Sequence, residues 1–196
     1  MSFCVLQFVL IMPKTPTSGE FRLNDLPGTG GRIDVVCRSL AACFDWGPVC
    51  WPRERLQFHV VLSDKVTLSF RCPQQVPRGE VAWARTIKDS LLDRPPQYVE
   101  LSYKSAEETL REISTAGSTI WVLDEEGTPI EDALRYNRAS QNSFILGDHE
   151  GYDSSSTSLF QRLDLRRVSL GRERYLSSHC VGAVIATMEK MVARGQ

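Results

Sequence analysis

The chain lacks several features that would assign it to a familiar class. It has no excess of either charge, because 23 lysines and arginines stand against 24 aspartates and glutamates, for a net charge of -1. A generic histone-like binder is therefore excluded, and a polyanionic partner would have to contact a local basic face. The longest apolar run, Phe3 to Met12, is shorter than the about 20 residues that span a bilayer. We therefore expect a cytoplasmic protein without a membrane segment.

Nucleotide and metal motifs are also missing. No Gly-x-Gly-x-x-Gly opens a helix and no Gly-x-x-x-x-Gly-Lys-Ser/Thr occurs, so neither a dinucleotide site nor a P-loop is indicated. The six cysteines never show the Cys-x-x-Cys spacing that places two thiolates on one zinc ion. We expect no bound metal, and we interpret five of the cysteines as small buried side chains: Cys4, Cys37, Cys43, Cys50 and Cys72.

Short apolar runs alternate with amphipathic segments, which is typical of an α/β fold. The pattern predicts strands at 3–12, 56–63, 66–71, 119–123, 143–146 and 165–169, and helices at 33–44, 80–91, 105–116 and 175–194. The first strand is apolar on both faces, as in the middle of a sheet. A length of 196 residues fits one compact domain. We divide it into an N-terminal half, 1–117, and a second part, 118–196.

Three predicted strands each run directly into a loop that contains glycine. These loops follow Leu123, Leu146 and Ser169, and they contain Gly127, Gly147 with Gly151, and Gly171. In open parallel sheets, ligands bind beyond the carboxyl ends of the strands, where glycine allows the backbone to approach closely. Such glycines are common in α/β proteins, so the spacing alone also fits ordinary turns.

The residues in and around these loops make the pattern more specific. The chain resembles the archaeal tRNA pseudouridine-N1-methyltransferases, the TrmY family of the SPOUT superfamily, through motifs at both of its ends. These motifs are Lys14-Thr-Pro-Thr-Ser18, Asn24-Asp-Leu-Pro-Gly28, Gly31-Arg-Ile-Asp-Val-Val-Cys-Arg38, Phe144-Ile-Leu-Gly-Asp-His-Glu-Gly151, Val168-Ser-Leu-Gly171 and Tyr175-Leu-Ser-Ser-His-Cys-Val181.

The resemblance implies a fold, a cofactor and a reaction. The fold would be a SPOUT-type α/β knot, a Rossmann-like, mainly parallel sheet whose C-terminal part forms a trefoil knot, in a homodimer. The reaction would transfer a methyl group from S-adenosyl-L-methionine (SAM) to N1 of pseudouridine 54 in the T-loop of tRNA. By position, the cofactor-binding residues would be Leu123, Leu146, Gly147, Ser169, Leu170, Gly171, Arg172, Glu173, Arg174, Tyr175, Leu176 and Cys180.

Methyl transfer to N1 requires the loss of one proton from the ring nitrogen. Asp148 and His149 follow the second strand end, so they are the candidate catalytic residues, although Asp148 could equally cap the next helix or hold its own loop. RNA contact requires a basic surface. The candidate RNA-binding residues are Arg32, Arg38, Arg135, Arg138, Arg166 and Arg172.

Two alternatives remain open. The family's Pro-Asp-Glu-Arg-Ser-Thr stretch is replaced here by Pro77-Arg-Gly-Glu-Val-Ala-Trp83, so the target could be another RNA position, such as a ribosomal pseudouridine N1 or a 2′-hydroxyl. The chain could also be a knotted dimer that binds RNA without catalysis. Intact cofactor loops argue against that second alternative.

Overall fold

The computed structural model describes residues 3–45, 51–135, 137 and 139–194. The strands are β1 (Val5–Met12), β2 (Leu56–Leu62), β3 (Val66–Arg71), β4 (Val99–Ser102), β5 (Thr119–Pro129), β6 (Gln141–Leu146) and β7 (Arg166–Ser169). The helices are α1 (Ile33–Phe44), α2 (Glu80–Leu91), α3 (Ala106–Thr115), α4 (Ile130–Leu134), α5 (Ser154–Arg162) and α6 (Ser177–Ala193), and a short 3₁₀ turn, Arg53–Arg55, precedes β2.

All seven strands form one sheet in the order β4-β3-β2-β1-β6-β5-β7. β1 lies in the middle and pairs in parallel with β2 and β6, while β5 pairs in parallel with β6 and β7. Only β3 runs against its neighbours among the described strands. The mixed α/β architecture with a mainly parallel sheet confirms the predicted fold class, and the trefoil knot stays a prediction.

Side chains of β1 point alternately into two apolar layers, as expected of a central strand. Phe8 and Leu10 belong to the larger cluster, which α1, α2 and α6 cover. Val9 and Ile11 belong to a smaller cluster on the other face, which α3 and α5 cover. The two faces together bury the whole of β1 beyond its first residue. This places the β1–β6–β5 region, and the loops that follow it, on a rigid support.

Three elements were not predicted, and each has weak local signals. β4 is a four-residue strand. α4 has five residues. α5 begins Ser-Ser-Ser-Thr-Ser, a composition of modest helix propensity; it forms because Asp153 accepts a hydrogen bond from the backbone N–H of Ser156 at 2.9 Å and because Leu159 and Phe160 are buried.

The cysteine prediction concerns five residues. Cys37 and Cys43 are buried, Cys4 and Cys72 are partly buried, and Cys50 lies outside the described residues. Within the described part of the chain, no helix is long and apolar enough to cross a membrane. The same residues contain no group of three or more side chains that could hold a metal ion.

Candidate functional site

The carboxyl ends of β6 and β7, and the point in β5 after Leu123, open onto one cavity of about 750 Å³; β5 lies between β6 and β7 in the sheet. Three loops and the start of α6 line it. We call them the first loop (123–127), the second loop (146–152) and the third loop (169–176). Since parallel strands end at the same edge of a sheet, the convergence follows directly from the topology.

The first loop is a four-residue excursion within β5 rather than the end of a strand. Leu123 and Thr128 both pair with Val168 of β7, and residues 124–127 leave the ladder between them. A Cβ atom at Gly127 would lie 2.6 Å from the backbone of Val168, so only glycine permits this close return. The predicted strand end at Leu123 is therefore corrected to a bulge, with the strand continuing to Pro129.

The second loop is a tight turn. The carboxylate Oδ1 of Asp148 accepts the backbone N–H of Glu150 at 2.7 Å, and the carbonyl of Asp148 accepts that of Gly151 at 3.2 Å. A Cβ atom at Gly147 would lie 2.8 Å from backbone atoms of Gly151. The hydroxyl of Ser177, in the first turn of α6, donates to the Gly147 carbonyl at 2.8 Å. The turn is thus fixed from within and from α6.

The third loop is fixed to the first by charge. Arg174 lies 3.4 Å from Glu125, and Arg167, in the strand β7 that precedes the loop, lies 3.1 Å from Asp124. Inside the loop, the Ser169 hydroxyl accepts the N–H of Gly171 at 3.0 Å, and Gly171 has a φ of 147°, a left-handed value that favours glycine. These contacts hold the third loop over the cavity.

The structure brings eleven of the twelve predicted cofactor residues together. Those in the cavity wall are Leu123, Leu146, Gly147, Leu170, Gly171, Arg172, Glu173, Arg174, Tyr175, Leu176 and Cys180. The exception is Ser169, which lies outside the lining and supports Gly171 instead. Cys180 is partly buried, and burial, with Glu125 nearby, raises the pKa of its thiol to about 11. The thiol is thus neutral near pH 7, which suits a wall and not a nucleophile.

Both candidate catalytic residues lie in the cavity wall. The Asp148 side chain is only 5% exposed, and its Oδ2 lies 3.9 Å from Nδ1 of His149. The hydrogen bond from the backbone N–H of Glu150 shows that Asp148 holds its own loop. Asp148 does not cap the next helix, because the N-cap of α5 is Asp153. One carboxylate oxygen, Oδ2, has no hydrogen-bond donor among the residues that the structure describes.

The long loop after β1 lies against the second loop. Lys14 and Glu150 form an ion pair at 2.5 Å. Asp34, buried at the start of α1, receives two hydrogen bonds from Arg32, at 3.0 and 3.1 Å, and one from Arg38 at 2.6 Å. Burial opposes ionisation of this carboxyl, but the two guanidinium groups outweigh it, so its pKa is lowered.

The predicted RNA-binding arginines are not equivalent. Arg32 and Arg38 are engaged by Asp34, and Arg135 pairs with Asp132 at 3.2 Å. Arg138 lies outside the described residues. Arg172 is exposed in the wall of the main cavity, and Arg166 is exposed beside a smaller one of about 440 Å³. Among the described side chains, neither of these two has an ion-pair partner.

Sequence reasoning missed two residues that shape the cavity. Ser177 carries the bond to Gly147, and Tyr152 contacts two strand-end carbonyls. The acidic side chains Asp124 and Glu125, which follow the predicted Leu123, also line the cavity. Sequence patterns carry no signal for these hydrogen bonds, because each side chain bonds to a backbone carbonyl of another segment, 7 to 30 residues away.

Comparison with known proteins gives consistent matches. A family model described as "Putative SAM-dependent RNA methyltransferase" matches residues 5–193. A curated tRNA (pseudouridine(54)-N(1))-methyltransferase of Thermococcus onnurineus is 30% identical over 204 residues, covering 90% of this chain and 93% of the relative. One of the same name from Haloarcula marismortui is 31% identical over 188 residues, covering 89% and 91%.

Solved structures share the fold at low sequence identity. Archaeoglobus fulgidus Nep1, bound to S-adenosylhomocysteine, superposes with a TM-score of 0.70 at 13% identity and covers 98% of this chain and 100% of its own. The SpoU methyltransferase AviRb of Streptomyces viridochromogenes, in complex with AdoMet, gives a TM-score of 0.50 at 14% identity, covering 100% of this chain and 61% of its own.

Proposed function

Because the chain belongs to this family of SAM-dependent RNA methyltransferases, we propose that it methylates N1 of pseudouridine 54 in the T-loop of tRNA, the reaction for which the curated relatives are named. The observation that carries the proposal is the convergence of the first, second and third loops on one cavity beyond β5, β6 and β7. The family model matches residues 5–193, so the similarity includes all three loops.

The residues of the cavity fit SAM. Leu123, Leu146 and Leu170 supply apolar wall for the adenosine moiety, and the glycine turns leave room for close backbone approach. Asp148 puts negative charge on the same wall, which suits a cationic sulfonium, whereas Asp124 and Glu125 pair with Arg167 and Arg174. When bound, SAM supplies an electrophilic methyl group.

Asp148 is the residue we propose to accept the N1 proton. Its Oδ2 is free of hydrogen-bond donors within the described part of the chain, and its Oδ1 is held by Glu150, so the carboxylate is oriented. His149 lies beside it and is the second candidate for the same role. We expect Asp148→Asn to lower kcat at saturating SAM at least about 100-fold, the lower end of general-base contributions; saturation separates the loss of the base from any loss of SAM affinity. Glu150→Gln is the matched control.

Several further properties belong to the same proposal. We infer that the protein acts as a cytoplasmic homodimer, that residues 1–196 form one methyltransferase domain, and that the part from 118 onwards is knotted. The support for a single domain is that strands from both halves form one continuous sheet, in which β1 of the N-terminal half pairs with β6 of the second part. RNA phosphates would contact Arg166 and Arg172, which are exposed near the cavity.

The test uses mass spectrometry of nucleosides. Purified protein is incubated with SAM and with T-arm RNAs that are identical except for uridine or pseudouridine at position 54; a ribosomal RNA helix containing pseudouridine serves as a third substrate. We expect N1-methylpseudouridine from the pseudouridine T-arm alone. Product only from the ribosomal helix, or a 2′-O-methyl product, would overturn the assignment of the target. SAM binding without product from any RNA would favour the non-catalytic alternative.

A further inference from the structure

Tyr152 occupies an unusual position at the floor of the cavity. Its hydroxyl donates toward two backbone carbonyls, that of Leu123 at 3.0 Å and that of Ile145 at 2.8 Å. Leu123 ends the first part of β5 before its excursion, and Ile145 is the last residue of β6 paired with β5, opposite Val122. The hydroxyl therefore bridges the two strands where their ladder stops and where the first and second loops begin.

The ring that carries this hydroxyl is held firmly. It packs edge-on against Phe160 of α5, with ring centroids 5.0 Å apart and planes at 89°. It also contacts the apolar cluster beneath the sheet, which includes Val122 and Ile145. Burial, with Cys180 and Asp124 nearby, raises the pKa of Tyr152 well above its usual value. The hydroxyl thus keeps its proton and remains a donor.

We propose that Tyr152 is a positioning residue that sets the distance between the first and second loops, and thereby the separation of the cavity walls Leu123 and Leu146. This inference rests on the proposed binding of SAM in the cavity. A hydroxyl that is shared between the carbonyls of Leu123 and Ile145 opposes the separation of the two strands. Because the cavity walls are then already in position, ligand binding does not carry the free-energy cost of ordering them. Among the described side chains, none that was predicted from sequence hydrogen-bonds to either of these two carbonyls.

The test compares Tyr152→Phe with Tyr98→Phe in the full chain. The first substitution removes the bridging hydroxyl and keeps the ring on Phe160. The second removes the Tyr98 hydroxyl, which lies 3.2 Å from the Thr86 hydroxyl. Tyr98 immediately precedes β4, the edge strand at the opposite end of the sheet from β7. Each variant loses one hydrogen-bonding hydroxyl, so the two differ in location more than in chemistry.

Hydrogen exchange of the ligand-free protein gives the first readout. We expect Tyr152→Phe to accelerate amide exchange in residues 123–127 and 146–151 while Tyr98→Phe leaves those segments unchanged. Unchanged exchange in both segments would overturn the proposal, whether or not SAM binds.

Calorimetric titration with SAM gives the second readout. We expect Tyr152→Phe to raise the Kd for SAM about three- to tenfold, the range of one lost hydrogen bond, with the KM for RNA unchanged, and Tyr98→Phe to shift the Kd less than about twofold. If the wild-type protein fails to bind SAM, the proposed function is contradicted. If Tyr152→Phe binds SAM as tightly as the wild type does, only the proposed role of Tyr152 is contradicted.

Discussion

The turn of the second loop depends on the absence of a side chain at Gly147, which makes Gly147→Ala a direct test of the cavity. A Cβ atom there would lie 2.8 Å from the carbonyl carbon and oxygen of Gly151, and ordinary contact begins at 3.4 Å, so the two backbone segments must separate by about 0.6 Å. No side-chain rotation can relieve a contact between backbone atoms. Such overpacking typically costs about 1–3 kcal/mol.

We expect the ligand-free variant to relieve this contact by opening the second loop, so that the cost is transferred to SAM binding. An energy of about 1–3 kcal/mol corresponds to a rise of about 5- to 150-fold in the Kd for SAM, measured by calorimetric titration. Gly117→Ala is the control, because Gly117 has a φ of 88°, has no neighbour within 4 Å of its Cβ position and precedes β5 far from the loop. It should lower Tm without changing SAM affinity. Wild-type SAM affinity in Gly147→Ala would refute the reasoning.

Three other predictions concern charge. Asp34→Asn should lower the free energy of unfolding at pH 7 by about 1–2 kcal/mol, a value reduced because the arginine partners of Asp34 are about one-third exposed. The folded pKa of Asp34 is lowered, so the stability difference between wild type and variant should disappear as the pH falls from about 4 through that folded pKa, which urea titrations at several pH values can measure. Burial lowers the pKa of His59 to about 4, so acidification from pH 7 to 5 should cost the wild type about 2 kcal/mol, and His59→Gln should remove most of this loss in the same titrations. Arg166→Ala should reduce the slope of log affinity for RNA against log salt by about one, while Arg94→Ala, whose arginine pairs with Asp89, should not.

Sequence patterns predicted most of the fold because the relevant signals are local. The burial of β1 on both faces follows from an unbroken apolar run, and α1 and α6 follow from helical spacing of apolar residues. The bulge in β5 could not be predicted in this way. It depends on Thr128 returning to Val168, the residue that already pairs with Leu123, and a pairing between distant strands leaves no periodic trace.

The candidate site was predictable for a related reason. Loops at the carboxyl ends of neighbouring parallel strands meet, and the family resemblance, carried over position by position, named the eleven residues that line the cavity. The positions of Tyr152 and Ser177 depend on hydrogen bonds to carbonyls of other segments. A backbone carbonyl looks the same at every residue of a sequence, so such bonds can be found only in three dimensions.

The arginines show most clearly how structure changes an inference from composition. Arg32 and Arg38 stand in a family motif, yet Asp34 receives hydrogen bonds from both, and Arg38 also lies 3.6 Å from Glu80. Two positive and two negative charges cancel there, so this cluster adds little net attraction for phosphate. Since the whole chain carries a net charge of -1, we expect any attraction for RNA phosphates to come from arginines without acidic partners, which among the predicted and described residues are Arg166 and Arg172. The Asp34 cluster is then better explained as a structural contact that joins Arg32, where the loop after β1 ends, to α1 and the first residue of α2.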